Sequence, residues 1–209
     1  MNIEEKKSFF VINFEKDKLL QFDEIFEYQK PITMEIGSGK GEFIAINSRF
    51  HPERNFIGIE LKSKRIVTTL KKLDMTKNSN VRLLNLFIDE NVTKIIPAGS
   101  IDELIIYHPD PWPKKRHYKR RMFQHAFLDA IYPLLKENGY IKISTDCTNY
   151  ADWIAALFNE RNDFISIYKD GFKSIVPEDH FWTYFDKLQS EKGQEPLFFI
   201  YKKITIPID

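Results

Sequence analysis

An α/β fold, a mostly parallel sheet with helices on both faces, is what this sequence predicts, and three observations carry the expectation. Short apolar runs alternate with longer stretches of helical period. Turn-forming residues punctuate the chain instead of pooling into a linker. Hydrophobic residues make up 43% of the 209 positions, enough to bury a continuous core. In order, ITMEI reads as a strand and EFIAINSRF as a helix, NFIGIEL as a strand and KRIVTTLKKL as a helix, then VRLLNL as a strand, a turn-rich piece, and IDELIIY as a fourth strand. Apolar residues from Met122 to Leu135 then recur at helical spacing; Pro133 should kink or end that helix, and Asn138 and Gly139 should close it. YIKIST reads as a fifth strand, CTNYADWIAALFNE as a helix, and the remainder as two more strands around a polar connection. With no repeat visible, one domain over 1–209 is the economical expectation, residues 1–30 forming an amino-terminal extension and 31–209 the core.

Bulk composition excludes several classes. One cysteine, Cys147, rules out a disulfide framework or a cysteine-based zinc site within one chain and is compatible with a reducing cytoplasm. His51, His108, His125 and His180 lack metal-ligand spacing, so no metal is expected. The opening MNIEEKKSFFVINFEKDKLL scatters charges through any apolar run, so neither a signal peptide nor a membrane span is expected and a cytoplasmic location is. A net charge of +1 is no argument for a polyanionic partner; local charge density has to carry one.

In parallel α/β sheets ligands lie beyond the carboxyl ends of the strands, near the switch in strand order. Those positions hold Gly37, Ser38 and Gly39, then Glu60, then Asn85, then His108 to Asp110, and last Asp146. The first of them lie in MEIGSGKGEF. A phosphate-binding P-loop fails here because Met34 and Gly41 stand where glycine and a hydroxyl residue are required. A dinucleotide fingerprint is weakened because Glu42 stands at its third glycine. Glu60 ends the second strand, where folds of this kind bind ribose hydroxyls. An acid followed by G-x-G-x-G resembles the first motif of the class I methyltransferases, whose cofactor, S-adenosylmethionine, has no phosphate to be repelled by Glu35 and Glu42 and has a cationic methionine portion to be attracted.

The stretch HPDPWPKKRHYKRR puts Asp110 in a proline-bounded turn directly after the fourth strand and follows it with Lys114, Lys115, Arg116, Lys119, Arg120 and Arg121, a patch suited to phosphates. Trp112 either stacks on a base or packs beneath the loop. DPWPKKRHYKRRM, in order behind MEIGSGKGEF and FIGIELK, resembles the signature of the bacterial tRNA (guanine-N7-)-methyltransferases. ISTDCTNYADW resembles a later segment of that family, and TYFDK at 183–187 its T-x-x-E element, so the likeness runs from about Pro31 to Tyr201. The resemblance implies a Rossmann-like fold and methyl transfer from S-adenosylmethionine to N7 of a tRNA guanosine, the variable-loop position 46. It implies cofactor contacts from Glu35, Gly37, Ser38, Gly39, Glu60, Leu61, Asn85, Leu86 and Asp110. It further implies Asp110 as the catalytic acidic residue and tRNA contacts from Lys114, Lys115, Arg116, His117, Asp146, Thr183 and Asp186. tRNA is the expected partner and DNA is not; monomer and homodimer both stay open.

Three features depart from the family pattern. Phe87 stands where an acid usually faces the adenine, with Asp89 two positions on; Asp186 replaces a glutamate; and the amino-terminal region is short and mixed in charge. The rival readings are a methyltransferase acting on another RNA or on a small molecule, and a noncatalytic RNA-binding protein that keeps the fold.

Overall fold

A computed structural model describes residues 2–169, 171–174, 176–177, 190–191, 193 and 195–205. Among them lie strands β1 (Ile32–Ile36), β2 (Asn55–Ile59), β3 (Val81–Leu84), β4 (Ile101–Tyr107), β5 (Leu135–Thr145), β6 (Phe164–Ser166) and β7 (Leu197–Lys203). Helices are α1 (Ile3–Phe10), α2 (Phe22–Ile25), α3 (Glu42–Phe50), α4 (Ser63–Lys72), α5 (His125–Ile131) and α6 (Thr148–Asn159). The strands form one sheet in the order β3-β2-β1-β4-β5-β7-β6, parallel from β3 to β5, with β7 antiparallel to both its neighbours. This is the seven-stranded, mostly parallel α/β sheet the sequence predicts.

Every residue of β1 and β2 is buried, as expected of central parallel strands covered on two faces. Side chains alternate between the two layers. Leu104 and Ile106 join the larger core with Phe123, Ile154 and Phe158 of the α5 and α6 side, whereas Ile105 joins Phe43, Ile44 and Leu70 on the α3 and α4 side. From β1 the chain crosses to β2 on one side, and β4 docks on the other, so the strand order reverses between β1 and β4. A reversal of this kind is where doubly wound sheets place a crevice, at the carboxyl ends of the two strands. Register sets its walls: Glu35 pairs with Gly58 of β2 and Ile105 of β4, and Tyr107 pairs with Ser144 of β5.

The helix expected from Met122 to Leu135 is shorter than its periodicity implied. It spans His125–Ile131, passes through a 3-10 turn at Tyr132–Leu134 that contains Pro133, and gives way to β5 at Leu135. Asn138 and Gly139 therefore lie within a strand and do not close the helix. The reason is local: Leu135 pairs with Ile101 before the register shifts, and Gly139 approaches backbone so closely that a Cβ would sit 2.9 Å from the Lys136 carbonyl oxygen and 3.2 Å from that of Asp102.

The amino-terminal residues pack onto this sheet. Asn2 and Glu5 form a reciprocal capping box that starts α1. Lys6 Nζ donates to the carbonyls of Leu70 and Leu73 at the end of α4, and Phe10 is fully buried. Val11 then bridges Leu83 in parallel, the Ile12 amide donates to the Leu83 carbonyl at 2.9 Å, and the Leu20 amide to Ile95 at 2.8 Å.

Candidate functional site

The loop after β1 turns through Gly37, Gly39 and Gly41, all with positive φ. At Gly41, which precedes α3, a side chain is excluded twice over: φ is +72°, and a Cβ would fall 2.2 Å from Thr69 Cγ2 of the neighbouring helix. The amides of Gly37 and Ser38 both donate to the Ile59 carbonyl at 2.9 Å, which ties the loop to the end of β2. Glu60 continues that tie. Its Oε2 accepts from the Gly39 amide at 3.0 Å, its Oε1 accepts from the Lys62 amide at 2.8 Å, and Arg65 lies 3.4 Å from Oε2.

Glu35, at the end of β1, is 7% exposed, and among the described residues its Oε2 has no hydrogen-bond partner; neither does the buried Oγ of Ser38. Burial first, then the nearby carboxylates of Glu60 and Glu42, push the Glu35 carboxyl up to about 8. Such an acid suits a cationic or hydrogen-bonding group, which the described residues do not provide. Asn85, after β3, has its amide committed to the carbonyls of Glu60 (2.7 Å) and Leu61 (2.9 Å), and its Oδ1 accepts from Ser63. It braces the rim, beside exposed Leu61 and Phe87 and half-buried Leu86. Asp89, the acid near the expected adenine site, accepts from the Asn91 amide at 2.9 Å and caps the following 3-10 turn.

Across the crevice, the chain leaves β4 through His108 (φ 48°) and Trp112 (φ 44°), two non-glycine residues in the left-handed region on either side of Asp110. The His108 amide extends the ladder by donating to Ser144 at 2.9 Å. Asp110 is exposed, Asp146 follows β5 on the neighbouring loop and is half-buried, and neither makes a side-chain hydrogen bond or ion pair among the described residues.

Lys115–Arg120 form a 3-10 turn, in which residues three apart share a face. One face pairs His117, edge-on to Trp112 at 5.6 Å, with Arg120, whose guanidinium lies 5.0 Å from the same ring. Trp112 therefore packs within the loop. A second face turns Tyr118 and Arg121 inward, and Arg121 is only 2% exposed. This corrects the sequence-based patch, from which Arg121 must be removed: aromatic rings and two hydrogen-bond acceptors enclose it. Lys114, Lys115, Arg116, Lys119 and Arg120 stay exposed and follow Asp110 along the chain. Thr183 and Asp186 lie outside the described residues. The sequence reading missed Asn149, Tyr150 and Trp153, which meet the basic turn from α6; their spacing within one and a half helical turns was the available signal.

Residues 29–195 match the protein-family model described as "Putative methyltransferase". The chain is similar to the tRNA (guanine-N(7)-)-methyltransferase of Magnetococcus marinus, 36% identical over 172 residues, which are 82% of this chain and 68% of that one. It is likewise similar to the enzyme of that name from Zymomonas mobilis, 32% identical over 182 residues, 87% and 78% of the two chains. Among solved structures, the 16S rRNA methyltransferase KamB matches with a TM-score of 0.62 at 11% identity over 88% of this chain and 93% of that one. TrmN from Thermus thermophilus matches with a TM-score of 0.57 at 16% identity over 84% and 45%. These two show the fold alone.

Proposed function

This chain belongs to the tRNA (guanine-N7-)-methyltransferase family, and from that premise we propose that it transfers a methyl group from S-adenosylmethionine to N7 of a tRNA guanosine, acting in the cytoplasm. The single observation that carries the site assignment is the pairing, across the β1–β4 crevice, of a buried uncommitted acid, Glu35, with an exposed uncommitted acid, Asp110, followed at once by a basic turn.

The residues fit the cofactor. Glu35 Oε2 and Ser38 Oγ, both buried without partners among the described residues, suit the ammonium of a methionine moiety. Glu60 is held by two backbone amides yet keeps a lone pair, and its long contact to Arg65 is exchangeable, which suits a ribose hydroxyl. Leu61, Asn85 and Leu86 would border the adenine. When bound, S-adenosylmethionine supplies an electrophilic methyl group on a sulfonium.

Guanine N7 carries an in-plane lone pair and no proton, so no general base is needed, and the base gains positive charge as the bond forms. What the chain must supply is alignment and a negative field. Asp110 would accept guanine N–H groups and stabilise the cationic base, with Asp146 sharing that role. Lys114, Lys115, Arg116 and His117 would hold the RNA backbone, and Thr183 and Asp186 would add contacts from the carboxyl-terminal side. Incubation with methyl-labelled S-adenosylmethionine and bulk unmodified tRNA, followed by nucleoside analysis, tests the proposal: 7-methylguanosine is expected, and its absence with competent tRNA would remove the assignment.

A further inference from the structure

Arg121 is the one residue of the basic run that the fold hides. A buried guanidinium costs desolvation free energy that an apolar side chain of similar volume would avoid, so its presence has to be accounted for by what it holds. Its Nε donates to the Pro111 carbonyl at 2.9 Å, and its Nη2 donates to Asn149 Oδ1 at 2.6 Å. Its Cζ lies 3.7 Å from the centroid of the Tyr118 ring, 4.9 Å from that of Tyr150 and 5.1 Å from that of Trp153. No carboxylate pairs with it among the described residues.

The two acceptors belong to different segments. Pro111 follows Asp110 directly, so a hydrogen bond to its carbonyl fixes the peptide next to the exposed acid. Asn149 stands in the first turn of α6, three residues beyond Asp146. Asp110 is moreover bracketed by two left-handed non-glycine residues, His108 and Trp112, a strained bend that persists only where its surroundings over-determine it. Tyr118 reinforces the clamp by donating to the same Asn149 oxygen at 2.8 Å. A lysine's single ammonium lacks the planar fork whose Nε and Nη2 address the two acceptors in fixed directions while its face stacks on the rings, so it would hold them less rigidly.

We infer that Arg121 is a positioning residue for methyl transfer, fixing the Asp110 turn against the loop that carries Asp146. The inference rests on Asp110 acting at the base, as proposed above.

Arg121→Lys tests it by single-turnover methylation of tRNA, with tRNA and S-adenosylmethionine affinities measured on the same protein. The expected result is a rate about thirtyfold lower, with both dissociation constants changed less than about threefold. An unchanged rate would overturn the inference. So would a loss confined to tRNA affinity with a shallower salt dependence, since that is the signature of a phosphate contact. Should Arg121→Lys fail to fold, Asn149→Ala removes one anchor from an exposed side chain; a rate about fivefold lower at unchanged affinities is expected, and a wild-type rate would overturn the inference. In an Asp110→Asn background, Arg121→Lys should add less than about a twofold loss, because the two act as a unit; a full multiplicative loss would overturn the inference while leaving Asp110 in its role. Wild-type turnover by Asp110→Asn alone would instead remove the role of Asp110.

Discussion

Titrating S-adenosylmethionine into the protein between pH 6 and pH 9 should expose Glu35 as a proton-linked ligand. Its carboxyl, ordinarily near 4.5, is raised to about 8 by burial and by Glu60 and Glu42. If the ammonium of the cofactor binds the carboxylate form, only about 1% of the free protein is competent at pH 6 and about 90% at pH 9. The apparent affinity then rises about a hundredfold, roughly 2.7 kcal/mol, by about tenfold per pH unit below 8. The α-amino group of the cofactor titrates near 8 as well, so the comparison must be made against Glu35→Gln, in which the ligand contribution is unchanged and the protein contribution is gone. Calorimetry in buffers of differing ionisation enthalpy should also find close to one proton released per cofactor at pH 7 in the parent and none from residue 35 in the variant. The same shift has a sign for folding. A carboxyl raised in the folded state stabilises fully below about 4.5 and loses that contribution as pH rises through about 8. The cofactor-free protein should thus lose thermal stability over that window more steeply than Glu35→Gln does. Equal pH slopes for parent and variant, in binding and in melting, would refute the reasoning.

Asp110→Ala should lose at least about a hundredfold in turnover while cofactor affinity, measured by calorimetry, stays within about threefold, since its exposed side chain supports no described contact. Charge reversal of Lys115 and Arg116 together should weaken tRNA binding and reduce the slope of log affinity against log salt by about 2, as read from filter binding across a salt series. Gly41→Ala should destabilise the fold by about 2–4 kcal/mol in urea unfolding, combining a left-handed backbone with a contact to a fully buried Thr69 that cannot move aside.

Much of the framework was legible because it depends on runs and punctuation. EFIAINSRF occupies Glu42–Phe50 residue for residue, and the strands end where the glycines, Glu60, His108 and Asp146 stand. Knowing the strand ends is enough to gather Glu35, Glu60, Asp110 and Asp146 on one rim, because a parallel sheet puts all its carboxyl ends on one side. The end of α5 was not legible: Leu134 and Leu135 continue a helical period by chance of being apolar, and whether an apolar residue caps a helix layer or opens a strand depends on Ile101, more than thirty positions away. Arg121 was illegible for a different reason. In a run of cations nothing local marks the one that is enclosed; the 3-10 spacing that turns it inward, and the rings of α6 that receive it, are tertiary facts. The brace formed by Asn85 belongs to the same class, since a polar residue at a strand end reads equally as a ligand contact or as a support.

The segment after α1 has a bearing on solution behaviour that is separate from any chemistry. β3 is a terminal strand of the sheet, and an open terminal strand offers its backbone to whatever extended chain arrives first. Val11 and Ile12 occupy part of that edge at Leu83, and Phe10 seals the apolar layer beneath it. Removing the first twelve residues would therefore leave a sticky margin, and we expect the shortened protein to self-associate on warming well before the central β1–β4 part of the sheet comes apart.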